Sequence, residues 1–389
     1  MPVSCHPSAP KAPDGVDRRR RRLLALPLLL PAAACVSQPP ARFGAIPAPV
    51  LPSAQREKVG LLLPLSGPNR QLGQAMLNAA QLALFDQGDP GIELLPRDTG
   101  GTAAGAAVAA RAAMAQGARA IAGPLTLTET AAAAQAVRSG RGASMLAFTN
   151  DASQAGGGVW VLGLTPAEQA ERITAAAANA GARRFGLLAP ADELGRRLAT
   201  GMQTRLSALG LPPPVTVLRP PRGDAAGAAR ELAAQAGPEG LDAVLLGETG
   251  ASAKAAAAAL ASAFPTPPRL LGTSLWISDT GLAGEPALAE AWFPAPDPAA
   301  RAGFESRYMT AFGERPPRIA AVAYDAAALA GRAARFGAPP VGEAMMGADG
   351  PIRLLPGGMA QRGLAIFALD ASGQPRLVQP APVPGAAGS

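Results

Sequence analysis

Short, continuous apolar runs alternate with helical patterns along residues 59–272 of this 389-residue chain. Residues 59–65 form the first run, and residues 73–88 after it carry apolar side chains at helical spacing. Continuously apolar strands are typical of parallel sheets covered by helices, because neither face of such a strand meets water. The alternation occurs in two series of similar length. It therefore predicts an α/β fold with two doubly wound parallel-sheet lobes.

The alternation ends in the C-terminal third of the chain. Residues 298–312 and 318–336 have the patterns of two long helices. Short apolar runs follow them, the last two joined by a turn-type sequence, so antiparallel strands are expected there. These runs are residues 352–355, 363–369 and 375–378.

The N-terminus has the pattern of an export signal. Five arginines at 18–22 precede a mostly apolar stretch at 23–34, which is shorter than the roughly 20 residues that cross a bilayer core. Small residues then precede Cys35, an arrangement that resembles a bacterial lipobox, in which the thiol is acylated and becomes the mature N-terminus. We therefore predict a lipoprotein signal peptide at 1–34. The alternative is an ordinary signal peptide cut near Ala34.

Removal of this signal changes the chemistry available to the chain. It takes away His6, the only histidine, and Cys5, with six basic and two acidic residues, so the formal charge falls from +7 to +3. Catalytic sites that need histidine or a free thiol, and zinc sites built from histidine and cysteine, are then excluded. The composition favours a non-enzymatic binding or scaffolding protein without cofactor or metal. No basic stripe interleaved with aromatic residues points to nucleic acid.

The two ends of the mature chain differ in composition from its body. Residues 35–56 are rich in proline and have no apolar period. Such a segment favours extended polyproline II at about 3 Å per residue, so it predicts a tether that holds the body on the order of 60 Å from the lipid. Residues 379–389 predict a disordered tail.

Five segments occur in an order that is specific as a set. They are VGLLLPLSGPNRQLGQAMLNAAQLAL at 59–84, AIAGPLT at 120–126, LAFTND at 146–151, LDAVLLGETG at 241–250 and FESRYMTAFGERPPRIAAVAYDAAAL at 304–329. The set resembles the type I periplasmic binding protein family of the leucine/isoleucine/valine-binding kind. That resemblance implies two lobes around a cleft, with three chain crossings that act as hinges. Lobe one would hold residues 57–164 and 285–337, and lobe two residues 165–284 and 338–378.

The same segments supply candidate ligand contacts, because ligands of open α/β sheets bind outside the carboxyl ends of strands. The resemblance implies that hydroxyl and helix N–H groups hold the carboxylate of an amphoteric solute such as an amino acid, and that Glu248 holds its ammonium group. Leu194 stands where relatives often place a tyrosine over the ligand. The candidate residues are Ser66, Gly67, Thr126, Thr128, Thr149, Asn150 and Glu248.

Each candidate also has a purely structural interpretation. Thr126 is spaced from Glu129 as in a capping box, so it fits a helix cap as well as a ligand contact. Ser66 and Gly67 fit a simple turn, Thr149 and Asn150 fit a cap or turn, and Glu248 fits a solvent-exposed position.

Two functions are consistent with these features. The chain resembles the periplasmic-binding-like domain of the penicillin-binding-protein activator lipoproteins, which implies a non-catalytic adaptor that contacts a peptidoglycan synthase, a penicillin-binding protein. Val36 after the cysteine is consistent with a lipid-anchored periplasmic protein of the outer membrane. The alternative is a solute-binding protein that delivers a branched-chain or other amino acid to an ABC permease, with lobe closure as its mechanism.

Overall fold

The computed structural model of this chain describes residues 56–140 and 142–385. The predicted signal peptide, Cys35 and all of the predicted tether except Arg56 lie outside the described residues. Within the described ranges, no helix combines the length and the apolar character that a membrane crossing requires.

Fifteen strands and nine α-helices make up the described part of the chain. The strands are β1 (Glu57–Leu63), β2 (Ile92–Asp98), β3 (Ala118–Ala122), β4 (Ser144–Ala147), β5 (Val159–Val161), β6 (Phe185–Pro190), β7 (Val215–Arg219), β8 (Ala243–Leu246), β9 (Arg269–Leu271), β10 (Trp292–Ala295), β11 (Ala344–Gly347), β12 (Gly350–Leu354), β13 (Ala360–Arg362), β14 (Ala365–Leu369) and β15 (Pro375–Gln379). The helices are α1 (Arg70–Gln87), α2 (Ala103–Ala115), α3 (Leu127–Arg138), α4 (Pro166–Asn179), α5 (Glu193–Ala208), α6 (Ala225–Ala236), α7 (Gly250–Ala263), α8 (Pro298–Phe312) and α9 (Ala320–Phe336).

Lobe one is built on a five-stranded parallel sheet in the order β2-β1-β3-β4-β5. Helices α1 and α9 cover one face, where Leu61 and Leu63 of β1 join a core with Met76 and Phe304. Helices α2 and α3 cover the other face, and Leu62 points into that second core. Because both faces are buried, β1 needs apolar residues at successive positions, which explains its unbroken apolar run.

Lobe two is built on a seven-stranded sheet in the order β15-β14-β10-β9-β8-β6-β7. Strands β6 to β10 are parallel, and β14 and β15 extend the sheet in antiparallel fashion. Helices α6 and α7 pack on one face and α4 and α5 on the other. The two doubly wound lobes predicted from the sequence are thus present.

The division of the C-terminal third between the lobes differs from the prediction. Residues 285–337 were expected in lobe one, yet β10 lies inside the lobe-two sheet, between β9 and β14. Residues 338–378 were expected in lobe two, yet β12 carries Ile352 and Leu354 into the lobe-one core beside α9. An apolar run shows that a strand is buried, but it does not show which sheet the strand joins, since the hydrogen-bonding partners are distant in sequence.

The predicted tail is also partly wrong. Gln379 is the last residue of β15 and pairs with Ile366 of β14. Its side-chain oxygen accepts a hydrogen bond from Arg172 at 3.3 Å, and Pro384 further on is buried. Ala381 packs against the lobe-two core, so residues 379–381 pack on lobe two.

Candidate functional site

A cavity of about 750 Å³ lies where the two lobes meet. Lobe one supplies the loop after β4 and the beginning of α3, and lobe two supplies the beginning of α5 and the segment after β9. Most of its lining is apolar, with a few polar groups between the apolar side chains, as in sites for small molecules. The apolar lining includes Leu125, Leu127, Leu194, Leu275, Ile319 and Val322.

The structure brings together only part of the predicted site. Thr126, Thr149 and Asn150 line the cavity, and so does Leu194, which stands where relatives often place a tyrosine. The others lie outside the lining. The backbone N–H of Ser66 donates to Asp98 at 3.2 Å, and Gly67 turns the chain with a φ of 74°. Thr128 stands beside the cap of α3, its hydroxyl 3.4 Å from that of Thr126.

The cap of α3 is completed by a carboxylate of the chain itself. Thr126 caps the helix in a complete capping box with Glu129. The buried Glu129 side chain accepts hydrogen bonds from the Thr126 hydroxyl at 2.7 Å, the Thr126 N–H at 3.1 Å and the Thr99 hydroxyl at 2.5 Å. A helix N-terminus attracts an anion through the free N–H groups of its first turn and its dipole. Glu129 thus engages the hydroxyl of Thr126, a donor that the sequence assigned to the carboxylate of a ligand.

The carboxylate of Glu248 is also paired with a side chain of the protein itself. It follows β8 as predicted, but it is buried and forms a bidentate ion pair with Arg219 at the end of β7, with N–O distances of 2.6 and 2.8 Å. Arg219 also donates to three backbone carbonyls in the turn after β7. Glu248 is therefore neither solvent-exposed nor free to hold an ammonium group, which corrects its predicted role. Trp276 is a core residue, whose indole N–H donates to the Glu248 carbonyl at 2.8 Å.

An ion pair that the sequence did not reveal connects the two lobes across the cavity. Arg197 of α5 donates to Asp151, in the loop after β4, at 2.7 Å, and to Glu193 of its own helix at 2.7 Å. Burial raises the pKa of the Asp151 carboxyl, but the hydrogen bonds from Ser153 and the charge of Arg197 outweigh it, so this pKa is lowered. Glu193 and Arg197 are four residues apart, a spacing that predicts an ion pair on one helix. Nothing in the sequence predicts that Arg197 also pairs with Asp151.

Arg362 joins the segments that connect the lobes. Its guanidinium donates to Asp325 of α9 at 2.7 Å and to the Leu162 carbonyl after β5 at 3.0 and 3.1 Å. Its backbone N–H donates to Glu168 in the first turn of α4. Burial raises the pKa of Glu168 to about 7, against the opposing effect of Arg362. A single arginine thus holds elements of both lobes.

Arg301 and Arg318 line the lobe-one side of the cavity. Arg301 donates to Glu305 at 2.7 Å, to Asp349 at 3.1 Å and to the Arg318 carbonyl at 3.0 Å. Its Nη2 is buried and has no hydrogen-bond partner in the described structure. Arg318 is exposed, and no carboxylate of the described residues pairs with its guanidinium. No sequence motif singled out either residue.

The described residues contain no group of three metal-type side chains, and residues 56–385 include neither histidine nor cysteine. The site offers apolar surface, hydroxyl and amide groups, and guanidinium groups. Two doubly wound lobes with a largely apolar cavity between them define a class of two-lobed binding proteins.

The chain belongs to the periplasmic binding protein family, whose model matches residues 57–348. Membership of this family indicates a periplasmic location. A comparison with curated proteins found no match.

Three solved structures illustrate the range of similar proteins. A putative branched-chain amino acid ABC transporter protein from Rhodospirillum rubrum is 20% identical, with a TM-score of 0.71, covering 83% of this chain and 100% of that one. The C-domain of LpoA from Haemophilus influenzae, a regulator of PBP1A, is 18% identical, with a TM-score of 0.67 and coverage of 82% and 99%. Full-length LpoA from the same organism is 18% identical, with a TM-score of 0.65; the match covers 84% of this chain but 59% of LpoA. At these identities the likeness shows the fold.

Proposed function

We propose that this protein is a non-catalytic, lipid-anchored adaptor of the periplasm that binds and activates a peptidoglycan synthase at the outer membrane. One observation carries the proposal. The polar side chains predicted to recognise an amino acid are already engaged within the chain, because Thr126 is hydrogen-bonded to Glu129 and Glu248 is paired with Arg219. A zwitterionic solute would have to displace buried, hydrogen-bonded charges at both positions, which is costly.

The contacts between the lobes support the same proposal. The Arg197–Asp151 pair bridges the cavity through side chains of the protein alone. A transport receptor alternates between open and closed lobes, whereas an adaptor benefits from a defined arrangement of the surfaces it presents to a partner. The absence of histidine and cysteine from residues 56–385 fits a protein that binds rather than catalyses.

The similarity to LpoA adds a further reason. The C-domain of LpoA, a regulator of PBP1A, matches this chain over 99% of the C-domain and 82% of this chain. The chain spans about three fifths of full-length LpoA. The proposal therefore concerns the adaptor role and does not name the particular synthase.

The second candidate function is solute binding for an ABC permease, and the cavity is the observation that favours it. A volume of about 750 Å³ with a mostly apolar lining fits a small molecule. In that role Thr126, Thr149 and Asn150 would contact the ligand, and the lobes would close around it.

Affinity capture followed by an activity assay tests the first proposal. The tagged full-length protein is expressed in the bacterium that it comes from. It is cross-linked to its partners in the cell envelope and purified together with them. We expect a peptidoglycan synthase in the eluate, and we expect the purified protein to raise the rate at which that synthase makes peptidoglycan. Recovery of a permease without a synthase, or a synthase whose rate does not change, would contradict the adaptor function.

A further inference from the structure

We infer that residues 380–385 form a strap that ties lobe two to lobe one beside a chain crossing and limits how far the lobes can separate. The sequence predicts a disordered tail here, whereas the structure fixes the segment at both ends. The inference goes beyond the adaptor function and does not depend on it, because it concerns only the two lobes and the segment that joins them.

The strap begins on lobe two. Gln379, directly before it, is the last residue of β15 and pairs with β14 in the lobe-two sheet. Ala381 packs against the apolar core of the same lobe. Arg172 of α4 donates to the side-chain oxygen of Gln379 at 3.3 Å and to the carbonyl of Leu364 at 2.9 Å. This end of the strap is therefore held by the sheet, the core and a helix of lobe two.

The middle of the strap contacts a point where the chain crosses between the lobes. Strand β13 ends at Arg362 and β14 begins at Ala365, so residues 363–364 form this crossing. The carbonyl of Pro382 lies so close to Gly363 that a Cβ at this position would collide with it. The strap can lie against the crossing only because residue 363 has no side chain.

The far end of the strap reaches lobe one. Gly385 lies against the guanidinium of Arg353 in β12, and a Cβ at 385 would collide with that group. Gly385 also has a φ of 85°, which glycine adopts without strain. The neighbours of Arg353 in β12, Ile352 and Leu354, are buried in the lobe-one core. The last turn of the strap therefore contacts a strand that is fixed in lobe one.

The composition of the strap makes it resistant to stretching. Prolines stand at 380, 382 and 384, alternating with alanine and valine, and each proline ring fixes its own φ. A proline-rich segment of this kind is a semi-rigid spacer rather than a flexible linker. When the lobes separate, the two ends of the strap move apart, so one end has to detach from its lobe.

Distance measurements between the lobes test the strap. Spin labels are placed at Ala131→Cys in α3 and Thr200→Cys in α5, two exposed positions on helices that begin at the cavity. The chain also carries Cys5→Ala and Cys35→Ala, so that no other cysteine is present. Asp151→Asn is included so that the ion pair across the cavity does not mask the effect of the strap. Pulsed electron–electron double resonance then gives the distance between the two labels.

Two truncations of this labelled chain are compared. Truncation after Ala381 removes most of the strap but keeps β15, and we expect the distance to increase by more than about 2 Å, as in other domain rearrangements. Truncation after Gly385 keeps the whole strap and should leave the distance unchanged. Far-UV circular dichroism checks that both truncated chains are folded.

Gly363→Ala tests the same contact without shortening the chain, and it decides the matter if the shorter truncation fails to fold. The new Cβ would push the Pro382 carbonyl away, and the next nearest residue, Pro351, is 3.3 Å from it. In the full chain we expect an increase in distance like that of the truncation. In the chain truncated after Ala381 we expect no further increase, because the colliding group is gone.

Three results would each overturn the inference. They are an unchanged distance in the folded chain truncated after Ala381 or in full-length Gly363→Ala, equal increases in the two truncations, and additive increases from Gly363→Ala and the truncation after Ala381. The adaptor proposal would survive all of these outcomes, since its own test is synthase activation.

Discussion

Two arginine–carboxylate pairs of nearly equal length have different roles in this protein. Arg219–Glu248 at 2.6 Å lies inside lobe two, with side chains 6% and 4% exposed. Arg197–Asp151 at 2.7 Å joins lobe two to lobe one across the cavity, with side chains 24% and 17% exposed. Distance does not distinguish the pairs, but burial and position do. The Arg219–Glu248 pair neutralises a buried charge within lobe two, and the Arg197–Asp151 pair connects the two lobes near solvent.

The buried pair should give the largest effect on stability. In Glu248→Ala, the Arg219 guanidinium stays buried without its counter-charge, and we expect a loss of about 3–5 kcal/mol in the free energy of unfolding. Urea denaturation monitored by circular dichroism measures it. Glu239→Ala, which breaks the exposed pair of Glu239 with Arg184, is the matched control, and we expect at most about 1 kcal/mol from it. Similar losses in both variants would show that burial does not separate the two kinds of pair.

Glu168 at the junction of the lobes should give an intermediate effect that depends on pH. Because its pKa is raised from 4.5 to about 7 in the folded protein, its protonated form favours folding. That contribution is fully present below pH 4.5 and is lost as the pH rises through 7. Relative to Glu168→Gln, the wild type should lose roughly 3 kcal/mol of stability between those values. Urea denaturation at a series of pH values measures the difference, and parallel curves for the two proteins would refute the pKa shift.

The pair between the lobes should have a small effect on stability but a measurable effect on shape. Asp151→Asn removes the charge of Asp151 from the bridge, and we expect at most about 1 kcal/mol of lost unfolding free energy because the pair is near solvent. Small-angle X-ray scattering should show a larger radius of gyration as the lobes separate. Glu193→Gln, which removes the partner of Arg197 within its own helix, should leave the scattering unchanged. An unchanged radius in Asp151→Asn would mean that other contacts hold the lobes.

Loss of the predicted lipid anchor should not change the stability that either ion pair contributes. Cys35→Ala removes the predicted acylation site, and we expect the unfolding free energy to stay within about 0.5 kcal/mol of wild type while the protein moves from the membrane fraction to the soluble periplasmic fraction. Fractionation with immunoblotting measures the distribution. A wild-type protein that is already soluble would disprove the predicted anchor, and the ordinary signal peptide would replace it.

The candidate site was predictable only in part. Thr126, Thr149 and Asn150 could be placed at the cavity because each follows a strand of one parallel sheet, and the carboxyl ends of such strands meet at one edge. Glu248 obeys the same rule, yet it lies outside the cavity because Arg219, 29 residues away in sequence, turns it inward. Local position predicts the edge of the sheet at which a residue lies, but it does not predict the partner that its side chain finds.

The amino-acid sequence by itself determined the two parallel-sheet lobes, because burial on both faces of a strand requires unbroken apolar runs and helices between them. It also determined the exclusion of histidine and thiol chemistry from the body, which is a matter of composition. Only the tertiary structure decided that β10 joins the second sheet, that Thr126 bonds to Glu129 and Glu248 pairs with Arg219, and that Arg197 pairs with Asp151 across the cavity. These outcomes depend on pairings between residues far apart in the chain, and no local pattern encodes them.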